Sequence, residues 1–307
     1  MKERRPGTNL GRLTGLLGFT RQSYYQYFKN QQELKMGHHL ILEQVRQLRK
    51  DNPAMGTRKL HWLLQDFMNA HQIKMGRDAL FNLLAENYLL IRRRRRRSML
   101  TTDSRHWLKR YPNLIFDLEV VRSDQVWVSD ITYLKTKQGY VYISFITDAF
   151  SHKIMGYHLA GNLETINSIR ALQMAIEVSL AEGKSLEGLI HHSDQGFQYC
   201  SSQYVNMLKK LGIRISMSDK GEPLQNPIAE RVNGIIKHEY LFFKNLDNRV
   251  TSMQSLHEAV YAYNRIRPHL SCNMLTPEKA YQLNQPMKKR WKNYYRTNQE
   301  NVNLCQD

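Results

Sequence analysis

Six consecutive arginines, Arg92 to Arg97, constrain the folding of this chain more than any other feature of its sequence. Side chains of like charge repel one another, so a compact domain cannot pack such a run into its interior. The run therefore divides the chain into two folding regions, and it suits an extended arm that lies along the phosphates of a nucleic acid.

The distribution of charge supports a polyanion as the partner of the first region. Residues 1–110 contain 23 Lys and Arg against 8 Asp and Glu, whereas the residues after them contain 22 against 19. A basic half of this kind is typical of proteins that bind nucleic acids. A soluble protein with a merely basic surface is the alternative that charge alone leaves open.

Composition also excludes several classes of protein. No apolar run approaches the roughly 20 residues that a membrane span needs, and the N-terminus has no apolar signal region. We therefore expect a cytoplasmic protein without a membrane partner. Cys200, Cys272 and Cys305 are scattered without a CxxC pair. This argues against a disulfide framework and against a zinc site built on paired cysteines.

The first hundred residues have the apolar spacing of short helices. Gly18 interrupts the first helical run, and Thr20 can cap a helix that starts at Arg21. A second unit begins with a helix over Leu40–Lys50 and continues with two further helices, the last of them after Gly76. Helix–break–helix units are typical of helix-turn-helix DNA-binding domains, but small three-helix units also occur in proteins that bind no DNA.

After residue 110 the pattern changes to that of an α/β domain. Strands are expected at Gln125–Leu134, Tyr140–Ala149, Lys153–Leu159, a short stretch ending at Asp194, and Ile213–Met217. Helices are expected at Glu164–Ala181, Gln203–Leu211 and from Pro227 onward. Three strands followed by strands and helices in alternation is the element order of an RNase H-like fold, and it is also compatible with other mixed α/β domains.

Three carboxylates stand at positions that suit metal-dependent chemistry. Asp130 shares a strand face with Val128, and an ionised carboxylate in such apolar surroundings needs a cation or hydrogen bonds. Asp194 follows an apolar strand at its carboxyl end, a frequent position of ligand sites in open α/β sheets. Glu230 lies on a helix with Asn226 as the expected cap and Pro227 at its first position.

The helix that carries Glu230 also carries a lysine on the same face. At about 100° per residue, Lys237 falls within about 20° of Glu230, and both point away from the apolar stripe of the helix. An ordinary solvated helix face has the same spacing, so the spacing alone leaves both interpretations open.

Two further positions could belong to a site. Asp148 also ends an apolar strand, where it could cap the turn to Ser151 or support a site. His191 and His192 are adjacent on a strand and should point to opposite faces. Of these two, His192 is the better candidate for a position near a phosphate.

The residues around the carboxylates resemble the motifs of one enzyme family, the IS-three group of bacterial insertion-sequence transposases within the retroviral integrase superfamily. Between Asp194 and Glu230 stand 35 residues, the spacing of the D,D(35)E signature of this family. The resemblance covers about residues 36–285. Stretches that match the family's motifs are Trp127–Tyr133, His192–Tyr199, Asn226–Glu230 with Lys237, Tyr263–His269 and Leu275–Glu278.

The resemblance implies an RNase H-like integrase core with a mixed five-stranded sheet, preceded by small all-α helix-turn-helix units that bind DNA. It implies a DNA transposase that cleaves a strand at the ends of an insertion sequence and uses the new 3′-hydroxyl to attack a second site. Asp130, Asp194 and Glu230 would be its catalytic residues. They would hold two Mg²⁺ ions, with Mn²⁺ as a substitute: Asp130 bridges both ions, Asp194 holds one and Glu230 the other.

The expected partner is double-stranded DNA, both the terminal inverted repeats and the target, bound by a homodimer or higher oligomer. A protein from an upstream reading frame, as a partner or a fusion, is left open. Lys237 is expected to position a phosphate, since it is a point charge. The other candidate DNA contacts are Asn226, His192, Arg21, Arg58, Lys59, Arg77, Arg92, Arg93, Arg94, Arg95, Arg96 and Arg97.

The expected domains are a helix-turn-helix segment over residues 1–33, a second such domain over 34–91, a basic linker arm over 92–120, the catalytic core with C-terminal helices over 121–285, and a basic tail over 286–307. In the tail, Trp291 and the tyrosines after it stand among basic residues and could stack on nucleic acid, and a disordered tail is the alternative.

The chain departs from the family's pattern in two respects. Gln225 stands where many relatives have an acidic residue before the glutamate motif, which could alter how that loop contacts DNA. The zinc-binding domain that precedes retroviral integrase cores is not expected here, since helical units take its place. Two rival functions are a DNA-binding regulator without activity, against which the intact triad argues, and a nuclease of the same fold that hydrolyses DNA without joining it.

Overall fold

The computed structural model describes residues 9–91, 106–219, 226–283 and 285–287. These residues form two compact units. The first comprises the described residues up to 50 together with 56–91, and the second comprises 51–55 and the described residues from 106 onward. The six arginines of the predicted arm and the basic tail from residue 288 lie outside the described residues.

The first unit is helical throughout its described part, as predicted. Its helices are α1 (Leu10–Leu16), α2 (Arg21–Asp51), α3 (Thr57–Leu63), α4 (Gln65–Ala70) and α5 (Arg77–Glu86). Its fully buried side chains include Ile41 and Val45 of α2, Leu60 of α3 and Leu80 of α5. Among the helices that the structure describes, none has the length and apolar character needed to cross a membrane.

Helix α2 is one continuous helix of 31 residues. The separate helix predicted over Leu40–Lys50 is only its second half, so the expected boundary between residues 33 and 34 falls inside a helix. No proline interrupts this stretch, and Gly37 packs closely against Ile73 instead of ending the helix. The predicted start of α2 is confirmed, because Ser23 N donates to Thr20 Oγ1 at 3.1 Å.

The second unit contains a mixed five-stranded sheet with the order β3-β2-β1-β4-β5. The first three strands pair antiparallel, while β4 and β5 run parallel to β1. This arrangement confirms the predicted RNase H-like sheet. The strands are β1 (Val126–Thr136), β2 (Gly139–Asp148), β3 (Ile154–Ala160), β4 (Ile190–Ser193) and β5 (Arg214–Met217).

Helices cover both faces of this sheet. One apolar cluster joins Trp127 of β1 to α6 and α8, and another joins Phe145 of β2 to α9 and α10. Gly156 of β3 lies so close to α6 that a Cβ there would stand 2.0 Å from the carbonyl oxygen of Ala171. The elements after β3 are α6 (Thr165–Ala181), α7 (Phe197–Cys200), α8 (Ser202–Lys210), α9 (Pro227–Ile235), a π-helical turn (Ile236–Tyr240), a 3₁₀ turn (Leu241–Phe243), α10 (Arg249–Arg265), a 3₁₀ turn (Leu270–Cys272) and α11 (Pro277–Tyr281).

Residues 106–120, which the sequence assigned to a linker arm, pack on the second unit. Leu108 and Tyr111 contact the cluster around Trp127, and Leu114 is one of several apolar residues here that contact the cluster around Val128. Pro112 O accepts a hydrogen bond from the backbone of β5 at 3.3 Å. The segment is therefore part of the second unit and not a free linker. Its apolar residues pack against the sheet, a contact that the basic charge pattern of the sequence did not reveal.

Candidate active site

Asp130 and Asp194 are brought side by side by the pairing of two parallel strands. Val128 of β1 pairs with His192 of β4, and each aspartate stands two residues beyond these partners. Because side chains alternate along a strand, Asp130 projects from the same face as Val128, and Asp194 directly follows the last residue of β4. Their closeness is also electrostatic, since the charge of Asp194 raises the pKa of Asp130.

Asp130 is held by two hydrogen bonds. Ile131 N donates to its Oδ1 at 2.8 Å, and Asn233 Nδ2 donates to its Oδ2 at 2.7 Å. Burial of the carboxyl raises the pKa of Asp130 to about 8, with further contributions from the charges of Asp194 and Glu230, while the two hydrogen bonds oppose the shift. A carboxylate in such surroundings needs a compensating cation if it is to stay ionised at neutral pH.

Asp194 belongs to a tightly bonded loop after β4. Gly196 N donates to Asp194 Oδ1 at 3.0 Å, and a Cβ at Gly196 would itself stand 3.0 Å from that oxygen. The next residue is fixed on both sides: Gln195 Nε2 donates to Ser218 O at 2.9 Å, and His106 Nε2 lies 2.8 Å from Gln195 O. The loop therefore presents the carboxylate of Asp194 in one orientation.

Glu230 is exposed in the first turn of α9. Pro227 occupies the first helical position as predicted, but the side chain of Asn226 does not cap the helix. Instead, Asn226 Nδ2 donates to Ser129 O at 2.9 Å. This bond ties the start of α9 to the residue before Asp130, so it brings Glu230 towards the same part of β1.

The chemistry of these three side chains fits a divalent cation, because carboxylate oxygens are the ligands that Mg²⁺ and Mn²⁺ prefer. Asp130 gives the clearest sign, since burial and, second to it, the charge of Asp194 raise its pKa. Within the described ranges, however, no three His, Cys, Asp or Glu side chains come close enough together to hold a single ion. The three carboxylates are near enough to repel one another electrostatically, but Glu230 does not come close enough to the two aspartates to share one ion with them.

Lys237 lies near Asp130, over the part of β1 that carries both Asp130 and Tyr133. Its Nζ stands 4.1 Å from the centroid of the Tyr133 ring, a cation–π contact. Burial lowers the pKa of Lys237, and the charge of Asp130 opposes this shift. The residue thus places a partly buried positive charge near Asp130.

Two of the predicted DNA contacts are buried. His192 has no exposed surface, and its Nδ1 lies 2.9 Å from Ser216 Oγ of β5. Asn226 is also buried and bonded to β1. Both residues support the site from within and are not presented to DNA in this structure, because strand pairing and the β1–α9 contact enclose them.

The predicted contacts of the first unit are better placed for a surface role. Arg21, Arg58 and Arg77 are exposed and Lys59 is partly exposed. Arg77 forms an ion pair with Asp78 at 2.8 Å. Arg92 to Arg97 lie outside the described residues, so their contact with DNA stays a prediction.

The neighbouring candidates have structural roles. His191 points to the opposite face from His192, where its Nε2 lies 2.7 Å from Ser129 Oγ and 2.9 Å from Tyr204 OH. Burial lowers the pKa of His191 to about 3, so the ring is neutral.

Asp148 accepts hydrogen bonds from Ser151 N at 2.8 Å and Ser151 Oγ at 2.6 Å. It caps the turn between β2 and β3, one of the two roles that were considered for it.

Asn233 was missed by the sequence analysis. The available signal was a polar residue between the buried Val232 and Ile235 on the apolar stripe of α9. A buried amide in such a stripe usually has a specific partner. Here the partner is Asp130, so Asn233 orients the carboxylate of Asp130.

We expect Asn233→Ala to slow catalysis about 10- to 100-fold and to raise the Mg²⁺ concentration at half-activity, because outer partners of metal-binding residues typically have effects of that size. Mg²⁺ titration of the cleavage rate measures both quantities. Asn264→Ala is the matched control, since Asn264 is also buried and donates to Ile154 O at 2.9 Å, on the edge strand. An equal shift of the Mg²⁺ midpoint in both variants would show that Asn233 acts only on stability.

The sequence and fold of this chain are similar to those of integrase core domains and of proteins encoded by insertion elements. Integrase core domain families match residues 121–223 and 211–277. The 31 kDa protein of insertion element IS600 from Shigella sonnei is 31% identical over 277 residues, which is 87% of this chain and 98% of that protein. The transposase of insertion sequence element IS629 from Shigella sonnei is 38% identical over 128 residues, which is 42% of each chain. Among solved structures, the magnesium complex of the HTLV-2 integrase catalytic core is similar with a TM-score of 0.41 and 18% identity, covering 52% of this chain and 98% of that one.

Proposed function

The chain belongs to the IS-three group of insertion-sequence transposases, polynucleotidyl transferases of DNA transposition with an integrase core, and we propose that Asp130, Asp194 and Glu230 are its catalytic carboxylates. The observation that carries this proposal is that Asp130 and Asp194 lie close together just beyond the paired residues Val128 and His192 of the two parallel strands β1 and β4. The raised pKa of Asp130 supports it, because a buried carboxyl beside other negative charges needs a cation to stay ionised at neutral pH.

The three carboxylates would hold two Mg²⁺ ions, with Mn²⁺ as a substitute. Asp130, Asp194 and Glu230 would be the protein ligands of these ions. When bound, such ions supply charge that activates the attacking oxygen and stabilises the leaving oxygen of a phosphodiester. The chain's own contribution is orientation: Asn233 and the backbone of Ile131 fix both oxygens of Asp130, and Gly196 fixes Asp194.

The DNA partners follow from the charges outside the catalytic centre. Lys237 would hold a phosphate next to the cleaved bond. In the first unit, the exposed Arg21, Arg58 and Arg77 would bind the terminal inverted repeats of the element. We propose that two or more copies act together on the bacterial nucleoid, since the reaction joins two element ends to target DNA.

The test of the proposed function is a product assay with the full chain and Mg²⁺. The substrate is a linear duplex that carries both DNA segments flanking the chain's own reading frame. We expect a new 3′-hydroxyl at the element end, followed by a joined strand, with Mn²⁺ active and Ca²⁺ inactive. Hydrolysed ends without joined product would indicate a nuclease, and binding without cleavage would indicate a regulator.

Lys237→Ala should raise the DNA concentration required for half-maximal cleavage while leaving the rate at saturating DNA within about threefold. The reason is that a phosphate contact made equally in ground and transition states contributes to binding alone. Lys237→Arg should keep much of the function, because a guanidinium also binds phosphate. If Lys237→Ala instead shifts the Mg²⁺ midpoint as far as Asp194→Glu does, the lysine acts on the metal ions and the assignment is wrong.

A further inference from the structure

The helix that carries Glu230 does not continue as an α-helix to its end. After Ile235 the chain forms a π-helical turn over Ile236–Tyr240. Leu241 N donates to the carbonyl oxygens of Ile236 and Lys237 and closes this turn. Isolated π-turns are uncommon and frequently lie at functional sites. Here the turn contains Lys237 as its second residue.

A buried arginine, Arg267, forms an ion pair with the same turn from the loop that follows α10. Arg267 Nε donates to Glu239 Oε2 at 2.8 Å, and Arg267 Nη2 donates to Glu239 Oε1 at 2.8 Å. Its third nitrogen, Nη1, lies 2.8 Å from His269 Nε2, which accepts because a guanidinium only donates. The side chain of Arg267 is only 3% exposed. It therefore cannot reach DNA. It belongs to the Tyr263–His269 motif, which has no role in the proposed catalytic site.

The ion pair holds the backbone next to Lys237. Glu239 is two residues from Lys237 within one turn, so fixing Glu239 limits the movement of Lys237. The turn is anchored further by Ala54 N, which donates to Glu239 O at 3.3 Å, and by Tyr240 OH, which donates to Asn52 Oδ1 at 2.7 Å. All of these residues belong to the second unit.

A contribution to folding stability does not by itself explain why Arg267 and Glu239 form a buried ion pair. Burying two charges requires their desolvation, and apolar residues of similar size often stabilise a fold equally well. A bidentate arginine–carboxylate pair, by contrast, fixes geometry, because both groups are planar and both hydrogen bonds must be made together. The pair is thus suited to specifying the position of the turn.

We propose that Arg267 is a positioning residue that, through Glu239, holds the π-helical turn and keeps Lys237 beside Asp130 and above the Tyr133 ring. This inference rests on the proposed function, in which Lys237 holds a phosphate. It assigns the arginine of the C-terminal motif to the binding of DNA, although that arginine is itself buried.

The test is equilibrium DNA binding by the full chain in EDTA over a range of salt concentrations. Loss of one phosphate contact reduces the slope of log K against log salt by about 0.9. We expect Lys237→Ala to reduce the slope by that amount. Arg267→Lys should reduce it nearly as much although it conserves charge, and the double variant should show no further reduction, because both changes remove the same contact.

Glu239→Asp is a second charge-conserving variant, which applies if Arg267→Lys does not fold. The matched control is Glu278→Asp, because Glu278 forms another ion pair in the same unit, with Lys153 at 3.0 Å. The control should leave the slope unchanged. A slope unchanged by Arg267→Lys and Glu239→Asp, or reduced equally by the control, would overturn the positioning role.

Hydrogen exchange of the segment 236–243 in DNA-free protein separates this inference from the proposed function. Arg267→Lys should speed exchange there by about tenfold or more, and Glu278→Asp should not. If Lys237→Ala leaves the salt slope unchanged, the phosphate role of Lys237 fails, whereas faster exchange in Arg267→Lys would still support the hold on the turn. Unchanged exchange would refute that hold.

Discussion

Replacement of Asp130 by asparagine will abolish strand cleavage and, in the same protein, raise the thermal stability measured without divalent cations. Loss of activity follows because an amide is a poor ligand for the proposed ions. Such ions contribute several kcal/mol to the transition state, and about 1.4 kcal/mol corresponds to tenfold in rate. We therefore expect the cleavage rate to fall by at least about 10³-fold, with the binding of element ends nearly unchanged.

The gain in stability follows from the charges around the carboxyl. Burial and the charges of Asp194 and Glu230 raise the pKa of Asp130 to about 8. At neutral pH the metal-free fold must therefore either bind a proton there or hold an unfavourable charge, which the unfolded chain need not do, and a neutral amide removes this cost. Asn233 Oδ1 is buried and, among the described residues, has no hydrogen-bond partner. This oxygen can accept a hydrogen bond from the amide introduced at position 130 if the side-chain amide of Asn233 rotates so that its oxygen and nitrogen exchange places. After allowance for solvent at the strand end, a gain of about 1 kcal/mol would raise Tm by about 2–4 °C.

Thermal unfolding in EDTA and a cleavage assay in Mg²⁺ measure the two effects. Asp194→Asn and Glu230→Gln should also lose cleavage. Asp148→Asn is the control: its carboxylate accepts bonds from Ser151 and Asp124, so the variant should lose stability without the all-or-none loss of activity. An Asp130→Asn protein that cleaves at the normal rate would refute the assignment, and one that is less stable would refute the electrostatic account.

Gly156→Ala is expected to prevent the catalytic unit from folding stably. A Cβ at this position would stand 2.0 Å from Ala171 O and 2.8 Å from Ala175 N, both of them backbone atoms of α6. A helix backbone cannot give way as a flexible side chain can, so α6 must move off the sheet and lose packing along β3. Insertion of extra volume into a packed core destabilises by about 1–3 kcal/mol, and this contact should exceed that range.

Chemical denaturation of the purified chain and its soluble yield measure this effect. Gly161→Ala is the matched control, because it makes the same substitution just after β3, at a position where a Cβ would meet nothing within 4 Å. The control should behave like the wild type. Equal stability of the two variants would mean that α6 does not pack against Gly156 as closely as described.

Local patterns in the sequence determined most elements of the second unit. Alternation predicted a strand over Gln125–Leu134, which is observed as Val126–Thr136, and helical spacing predicted Glu164–Ala181, which is observed as Thr165–Ala181. These patterns depend on neighbours within one or two turns, so a single segment contains the information. The same patterns could not show that α2 is continuous, because Gly37 has the signature of a break and its packing against Ile73 is a tertiary contact.

Motif spacing in the sequence singled out the three carboxylates and Lys237 as candidates, and they remain a proposal. Only the tertiary structure decided how they are supported. The amide of Asn233 reaches Asp130 across 103 residues of sequence, and Arg267 reaches Glu239 across 28. Strand pairing encloses His192, which the sequence had placed near DNA. The physical reason is that a hydrogen bond between distant residues depends on how strands and helices pack, and no local spacing encodes that packing.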